Sequence, residues 1–173
     1  MKDIQVVLVD EQDQALGVVE KLRAHREGLL HRAFSIYIFN SRNELLLQKR
    51  AAAKYHAAGL WTNTCCGHPL PDERIEQAAH RRLLQEMGFD CLLEKKMECR
   101  YETSVGDGMI ENEYLHVFFG WYEGQIAINK EEVEDFEHVP VKELENQIGR
   151  YPHQYTPWFR LIVPQILFSE TPG

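Results

Sequence analysis

The chain reads as an α+β domain: a mixed β-sheet in an α/β/α sandwich, arranged around one central loop and helix. Two observations predict this class. β-like runs recur at residues 4–9, 16–19, 34–39, 44–48, 94–103, 110–122 and 135–139, most of them bounded by turn residues. Between the fourth and fifth runs lies the stretch 61–89, WTNTCCGHPLPDERIEQAAHRRLLQEMGF, whose second half has helical periodicity. Strands interspersed with helices bury those helices on the sheet faces.

In order, residues 4–9 form a strand closed by the turn-like Asp10-Glu11-Gln12-Asp13, and 16–19 form its partner. Residues 20–31 are polar and read as irregular, with His25 and His31 among them. The run 34–39 alternates Phe34, Ile36 and Ile38 against Ser35, Tyr37 and Phe39, a strand covered on both faces. A turn at Ser41-Arg42-Asn43 leads into 44–48 as a second hairpin arm. Residues 49–60 carry Lys49, Arg50 and Lys54 just before the central stretch, where Asp72 is positioned to cap the helix following Pro71. Two longer strands follow, joined by Gly106-Asp107-Gly108; then come a short strand at 135–139 and a helix at 141–148. The chain closes with a helix at 155–168 that Pro164 interrupts.

At 173 residues, with 44% apolar and 27% charged residues, the chain has the size and composition of one soluble domain, 1–173 with a core over about 4–168. A formal charge of −8 argues against nucleic acid or an anionic membrane as partner. The four cysteines include an adjacent pair, Cys65-Cys66, which is a poor half of a disulfide framework. With no signal peptide or apolar span legible, the expected location is cytoplasmic and the expected state a monomer, a dimer being the alternative.

Several residues suggest metal chemistry. Glu111 and Glu113 are two apart on a strand and face the same way. Cys66 and His68 do likewise if their segment is extended. His25, His31 and His68 with these two carboxylates make a mixed nitrogen and oxygen set with one octahedral position open, suited to Mn²⁺, Zn²⁺ or Fe²⁺. A structural zinc site on Cys65, Cys66 and His68 is the alternative, although the Cys-x-x-Cys pairs of such sites are missing. His56, His80, His116, His138 and His153 are read as surface or satisfied core residues.

The central stretch follows a spacing of its own: glycine, five residues, glutamate, seven residues, then Arg-x-x-x-x-Glu-x-Gly-apolar. Gly67, Glu73, Arg81, Glu86, Gly88 and Phe89 occupy those places. This resembles the box of the Nudix family, in which a loop and helix present carboxylates to a diphosphate-bound metal. Arg82 and Gln85 stand where two box glutamates are usual. Wound at about 100° per residue, the helix places Arg82 and Glu86 inside its apolar stripe, four residues apart and able to pair. Buried charge costs several kcal/mol unless paired or metal-bound. Glu86 therefore reads as a Mg²⁺ ligand and Arg82 as a diphosphate contact, since Mg²⁺ takes one or two carboxylates plus substrate phosphates.

TNTCCGHP, MIENE, the two early histidines and the altered box together resemble the type I isopentenyl-diphosphate isomerases, over nearly the whole chain. The resemblance implies a Nudix-like fold and an isomerase interconverting isopentenyl and dimethylallyl diphosphate in isoprenoid biosynthesis, with a small prenyl diphosphate as partner and no flavin. It implies Cys66 and Glu113 as the catalytic pair, Tyr101 beside Glu113, and His25, His31, His68, Glu111 and Glu113 around a divalent metal, Mn²⁺ or Zn²⁺. It also implies Glu86 on the Mg²⁺ that accompanies the diphosphate, with Lys21, Arg50, Lys54 and Arg82 contacting the phosphates and Trp158 near the prenyl tail. Trp61 is a further candidate for facing the tertiary carbocation that such an isomerisation passes through. A Nudix diphosphate hydrolase and a noncatalytic ligand-binding scaffold are the alternatives. The first lacks its glutamates here; the second leaves Cys66, His68 and Glu113 unexplained.

Moving an unactivated double bond needs a proton added at one carbon and removed two carbons away, from opposite faces of a thin substrate. Neither a free thiol nor a free carboxylic acid is a strong acid, so burial and metal must tune both. Glu113, helped by Tyr101, is expected to protonate the alkene while Cys66 takes the other proton, with the roles exchanged in reverse.

Overall fold

The computed structural model describes residues 4–54 and 56–168; residues 1–3, 55 and 169–173 of the expected 1–173 domain lie outside the described residues. The strands are β1 (Gln5–Val9), β2 (Ala15–Glu20), β3 (His31–Phe39), β4 (Glu44–Arg50), β5 (Trp61–Thr62), β6 (Cys65–Gly67), β7 (Glu94–Gly106), β8 (Met109–Trp121) and β9 (Val133–Pro140). The helices are α1 (Lys21–Glu27), α2 (Ile75–Met87), α3 (Val141–Arg150) and α4 (Pro157–Val163).

The hub is β3. It pairs with β8 in parallel, from His31 opposite Glu113 to Phe39 opposite Trp121. It also pairs antiparallel with β6, setting Ser35 opposite Cys66 and Ile36 opposite Cys65. β7 and β8 form a long hairpin in which Tyr101 faces Glu113 and Thr103 faces Glu111. Alternation along β3 then divides the molecule into layers. Phe34, Ile36 and Ile38 pack with Leu46, Phe118 and the α2 residues Ile75, Ala78, Ala79, Leu83 and Met87. Tyr37 and Phe39 pack on the other face with Leu144 of α3 and Trp158, Phe159, Ile162 and Val163 of α4. The sandwich is the expected one.

The pleat also separates the adjacent cysteines. Cys65, fully buried, belongs to the layer under α2, whereas Cys66 faces the α4 layer. Gly67 follows because a Cβ there would stand 2.8 Å from the Phe34 ring and 3.3 Å from Arg82 Cγ. Gly88 ends α2 in the left-handed region at φ 73°, and a Cβ on it would meet the Ala127 carbonyl oxygen at 2.1 Å.

Three expectations need correction. Residues 20–31 are not irregular: Lys21–Glu27 is a helix ended by Gly28 at φ 66°. Its polar sequence hides a small anchored face, with Ala24 packed against Val6 and Val19, and an exposed Arg23–Glu27 pair one turn apart. Asp72 does not cap α2. A turn closes first, with Glu73 N–H donating to the Leu70 carbonyl at 3.0 Å and Asp72 in the left-handed region at φ 66°, so the helix begins at Ile75. The last helix starts later than 155, because Tyr155 forms a bridge to Trp61 and Thr156 accepts the Phe159 N–H at 3.3 Å as N-cap. From Pro164 to Phe168 it continues as a π turn.

Candidate active site

Side chains of β3, β6, β7, β8, α1, α2 and α4, with Ala53, Lys54 and His56, enclose a cavity of about 500 Å³. One end is cationic: Lys21, Arg50, Lys54 and Arg82 all line it. Burial, then the charges of Lys54 and Arg50, pull the Lys21 ammonium down to about 8, which marks a place where positive charge is crowded and an anion is wanted. The lining also includes apolar and aromatic side chains, Tyr37, Leu115, Trp158 and Ile162. Arg50 joins the two sets, its Cζ 5.1 Å from the Trp158 ring centre.

On the α2 side, Glu86 is only 4% exposed. Its Oε2 accepts from Arg82 Nη2 at 2.6 Å and its Oε1 from Gln48 Nε2 at 2.9 Å. Arg82 Nη2 also reaches Glu132 Oε1 at 2.6 Å, and Lys54 Nζ reaches the same oxygen at 3.2 Å. The outer box residues work differently. Arg81 grips Glu73 with Nε and Nη2, both at 2.8 Å, while Glu73 accepts the Leu70 N–H at 2.9 Å. That fork fastens the loop to the helix and holds the Glu73 carboxyl below its usual range.

The deep wall gathers the histidines. His25, His31, His68 and Glu113 each offer a donor atom, all within 4.8 Å of one another. Glu113 Oε2 lies 3.0 Å from His68 Nε2 and 3.4 Å from His31 Nε2; Glu111 Oε1 lies 3.6 Å from His25 Nε2. The Tyr101 hydroxyl bridges both carboxylates, at 2.7 Å to Glu111 and in a shorter contact to Glu113. Burial and the neighbouring Glu111 charge oppose ionisation of Glu113, but the facing imidazoles, His68 at hydrogen-bond distance, outweigh them and draw its carboxyl below the usual range.

This arrangement fits a divalent cation. The Leu29 carbonyl can only accept, so His31 Nδ1, 2.8 Å away, carries the proton and turns Nε2 toward Glu113. That Nε2 is buried and makes no hydrogen bond, although a carboxylate oxygen lies 3.4 Å away. Imidazole nitrogens and carboxylate oxygens converging on one buried point are the donor set of Mn²⁺, Zn²⁺ or Fe²⁺. A second cluster, Asp13, Glu98 and His116, lies apart from it, His116 alternating to the face of β8 opposite Glu113. There Arg32 already grips Asp13 at 2.8 Å and Lys95 stands 3.4 Å from Glu98.

Cys66 lines the same cavity as Tyr101, Glu111 and Glu113. Its Sγ lies 3.1 Å from Asn63 Oδ1, and Asn63 is oriented by donating to the Ile36 and Cys65 carbonyls at 3.1 and 3.0 Å. Burial, with the carboxylates of Glu113 and Glu111 adding to it, pushes the thiol far above its usual range, so it carries its proton at rest.

Residues 29–161 match the NUDIX domain. The chain is 47% identical over 165 residues to isopentenyl-diphosphate Delta-isomerase 2 of Photorhabdus laumondii subsp. laumondii, covering 95% of this chain and 93% of that one. It is 48% identical over 162 residues to the isopentenyl-diphosphate Delta-isomerase of Pectobacterium atrosepticum, covering 94% and 90%. The chain belongs to the isopentenyl-diphosphate Delta-isomerase family, within the Nudix fold. Among solved structures it is similar to DR0079 of Deinococcus radiodurans, with a TM-score of 0.78 at 15% identity, covering 93% of this chain and 98% of that one; this likeness is one of fold.

For this family member, the folded chain brings most residues anticipated from sequence to one place. Lys21, Arg50, Lys54, Cys66, His68, Arg82, Glu86, Tyr101, Glu111, Glu113 and Trp158 line the cavity, and His25 and His31 lie fully buried against it. Trp61 is not brought there. Paired with Lys49 and bridged to Tyr155, it packs against the α4 layer, so it is a support beneath the site. His56, in sequence an ordinary surface or core histidine, is buried, lines the cavity and stands 3.1 Å from Glu111. Gln48, Asn63 and Glu132 were also missed. Gln48 left a trace in sequence, a polar residue at the end of the strand-like run 44–48, and it proves 2% exposed.

Proposed function

We propose that this chain interconverts isopentenyl and dimethylallyl diphosphate by adding a proton at one end of an allylic unit and removing one from the other. The observation that carries this reading is that Cys66 and the Tyr101–Glu113 pair line the same cavity as four cationic side chains and Trp158. Protonating the terminal carbon of isopentenyl diphosphate leaves a tertiary cation at the next carbon. Loss of a proton from the carbon beyond gives dimethylallyl diphosphate. Trp158 supplies a ring face for that cation, a contact worth about 2 kcal/mol when desolvated. The resting charges supply one donor and one acceptor: the Cys66 thiol holds a proton, and the Glu113 carboxylate, beside the Tyr101 hydroxyl, is ionised. From this state Cys66 would give a proton to the alkene and Glu113 would take the one lost, the reverse of the order expected from sequence. Because the reaction is reversible, each wall serves as acid in one direction and base in the other.

Lys21, Arg50, Lys54 and Arg82 would bind and orient the diphosphate, converting its binding energy into placement of the tail. Glu86 would hold the Mg²⁺ that accompanies the substrate, and His25, His31, His68, Glu111 and Glu113 would hold Mn²⁺ or Zn²⁺. Bound there, a divalent ion supplies the charge that orders Glu111 and Glu113 and sets their proton affinity. The names of the relatives support the same substrate class. Incubation with isopentenyl diphosphate and Mg²⁺ in D₂O, followed by NMR, tests the proposal. Deuterated dimethylallyl signals are expected; release of phosphate, or an unchanged spectrum, overturns it.

A further inference from the structure

His56 stands outside the residues so far given a role. It comes from the loop that also carries Lys54, and its buried ring reaches Glu111 from the cavity side, Nε2 to Oε1 at 3.1 Å. A carboxylate oxygen only accepts, so Nε2 donates. Glu111 is thereby held on both oxygens, by Tyr101 on Oε2 at 2.7 Å and by His56 on Oε1. The ring is itself fixed. It packs on Trp158 with 5.6 Å between centres, and Arg50 Nη2 donates to the His56 carbonyl at 3.2 Å.

We infer that His56 is a positioning residue for Glu111, orienting that carboxylate toward the divalent ion that His25, His31, His68 and Glu113 surround. The inference rests on the His/Glu metal reading above. Hydrogen-bond partners behind a ligating carboxylate fix its plane, and their loss typically costs 10–100-fold in metal affinity. A neutral donor facing a carboxylate also leaves the remaining lone pairs for the ion, which a competing cation at that place would not.

The test compares the intact protein with His56→Gln, His56→Leu and His56→Phe. Glutamine keeps an N–H donor; leucine and phenylalanine keep bulk against Trp158 without one. Mn²⁺ and Zn²⁺ affinities are measured by competition with a chromophoric chelator, and melting of the metal-free proteins is recorded beside them. The expected result is a roughly 10–100-fold loss of metal affinity in the leucine and phenylalanine proteins, with glutamine restored to within a few-fold. Unchanged affinity in a folded leucine or phenylalanine protein overturns the inference, as does a glutamine protein as weak as those two. A His31→Ala control separates the two layers of argument. If it binds metal as tightly as the intact protein, the His/Glu metal reading fails first.

Discussion

His31 and Glu113 are register partners across the parallel β3–β8 pair, and His31 Nε2 lies 3.4 Å from Glu113 Oε2. Backbone pairing therefore sets this part of the candidate metal centre before any ion arrives. The same strand sets Ser35 opposite Cys66, so a single register serves both the metal wall and the thiol. Sliding either pair by one residue would turn these side chains to the α2 layer.

Removing His31 should therefore empty the centre without unfolding the sheet. His31→Gln is expected to lower divalent-metal affinity by at least the roughly 10–100-fold seen for lost supporting contacts. Isomerisation should fall with it and return partly at high metal concentration. Metal analysis after dialysis, paired with the D₂O assay, checks this. Full activity in a protein stripped by chelator would count against it.

The two cysteines should separate cleanly. Cys66→Ala is expected to lower kcat by about 10²–10⁴-fold, the range for loss of a positioned acid or base. Cys65→Ala removes a fully buried group from the α2 layer and should cost about 1 kcal/mol of stability while leaving turnover within a few-fold. Rates from NMR and urea midpoints decide between them. Equal loss of turnover in both would refute the assignment.

Lys21 gives the substrate dependence a pH limit. Its ammonium is drawn down to about 8 in the substrate-free protein, so it loses charge as pH rises through that value. The KM for a diphosphate substrate should rise above about pH 8, and binding there should take up protons. For stability the sign is the reverse. The unfolded chain binds this proton more tightly than the folded one, so this residue's contribution to stability rises from about pH 8 toward its ordinary value near 10.5. Lys21→Arg should remove the break in KM. A KM flat from neutral pH into the alkaline range would sink the prediction.

Gly88→Ala tests the geometry of the box. The left-handed conformation and the 2.1 Å approach to the Ala127 carbonyl leave no room for a methyl group. A loss of about 2 kcal/mol or more is expected from strain and displacement together. Chemical denaturation measures it. A change below about 0.5 kcal/mol, the range of ordinary surface substitutions, would mean the loop yields.

Much of this was legible without coordinates. Alternation in Phe34–Phe39 announced a strand with two covered faces, and the spacing from Gly67 to Phe89 announced a loop and helix holding Glu86. Arg82 and Glu86 could be paired from their four-residue separation, and they are paired at 2.6 Å. The polar segment before β3 hides its helix because Lys21–Glu27 has too few apolar residues to show a helical stripe. Its fold depends on Ala24 meeting Val6 and Val19.

His56 marks where local reading ends. Nothing in KYHAAGL distinguishes that histidine from one in solvent, because its partner Glu111 lies 55 residues away. Glu132 is similar, an acid in an acidic run that becomes a partner of Arg82, 50 residues away, only when the chain after β8 crosses the end of α2. Spacing within an element is enforced by its own periodicity, so Arg82 and Glu86 could be set on one helix face from the string alone, whereas Cys66 is pointed to only by the resemblance of its motif. Which buried neighbours complete a carboxylate's hydrogen bonds depends on how separate elements pack, and only the folded chain brings His56, Gln48 and Asn63 to their partners.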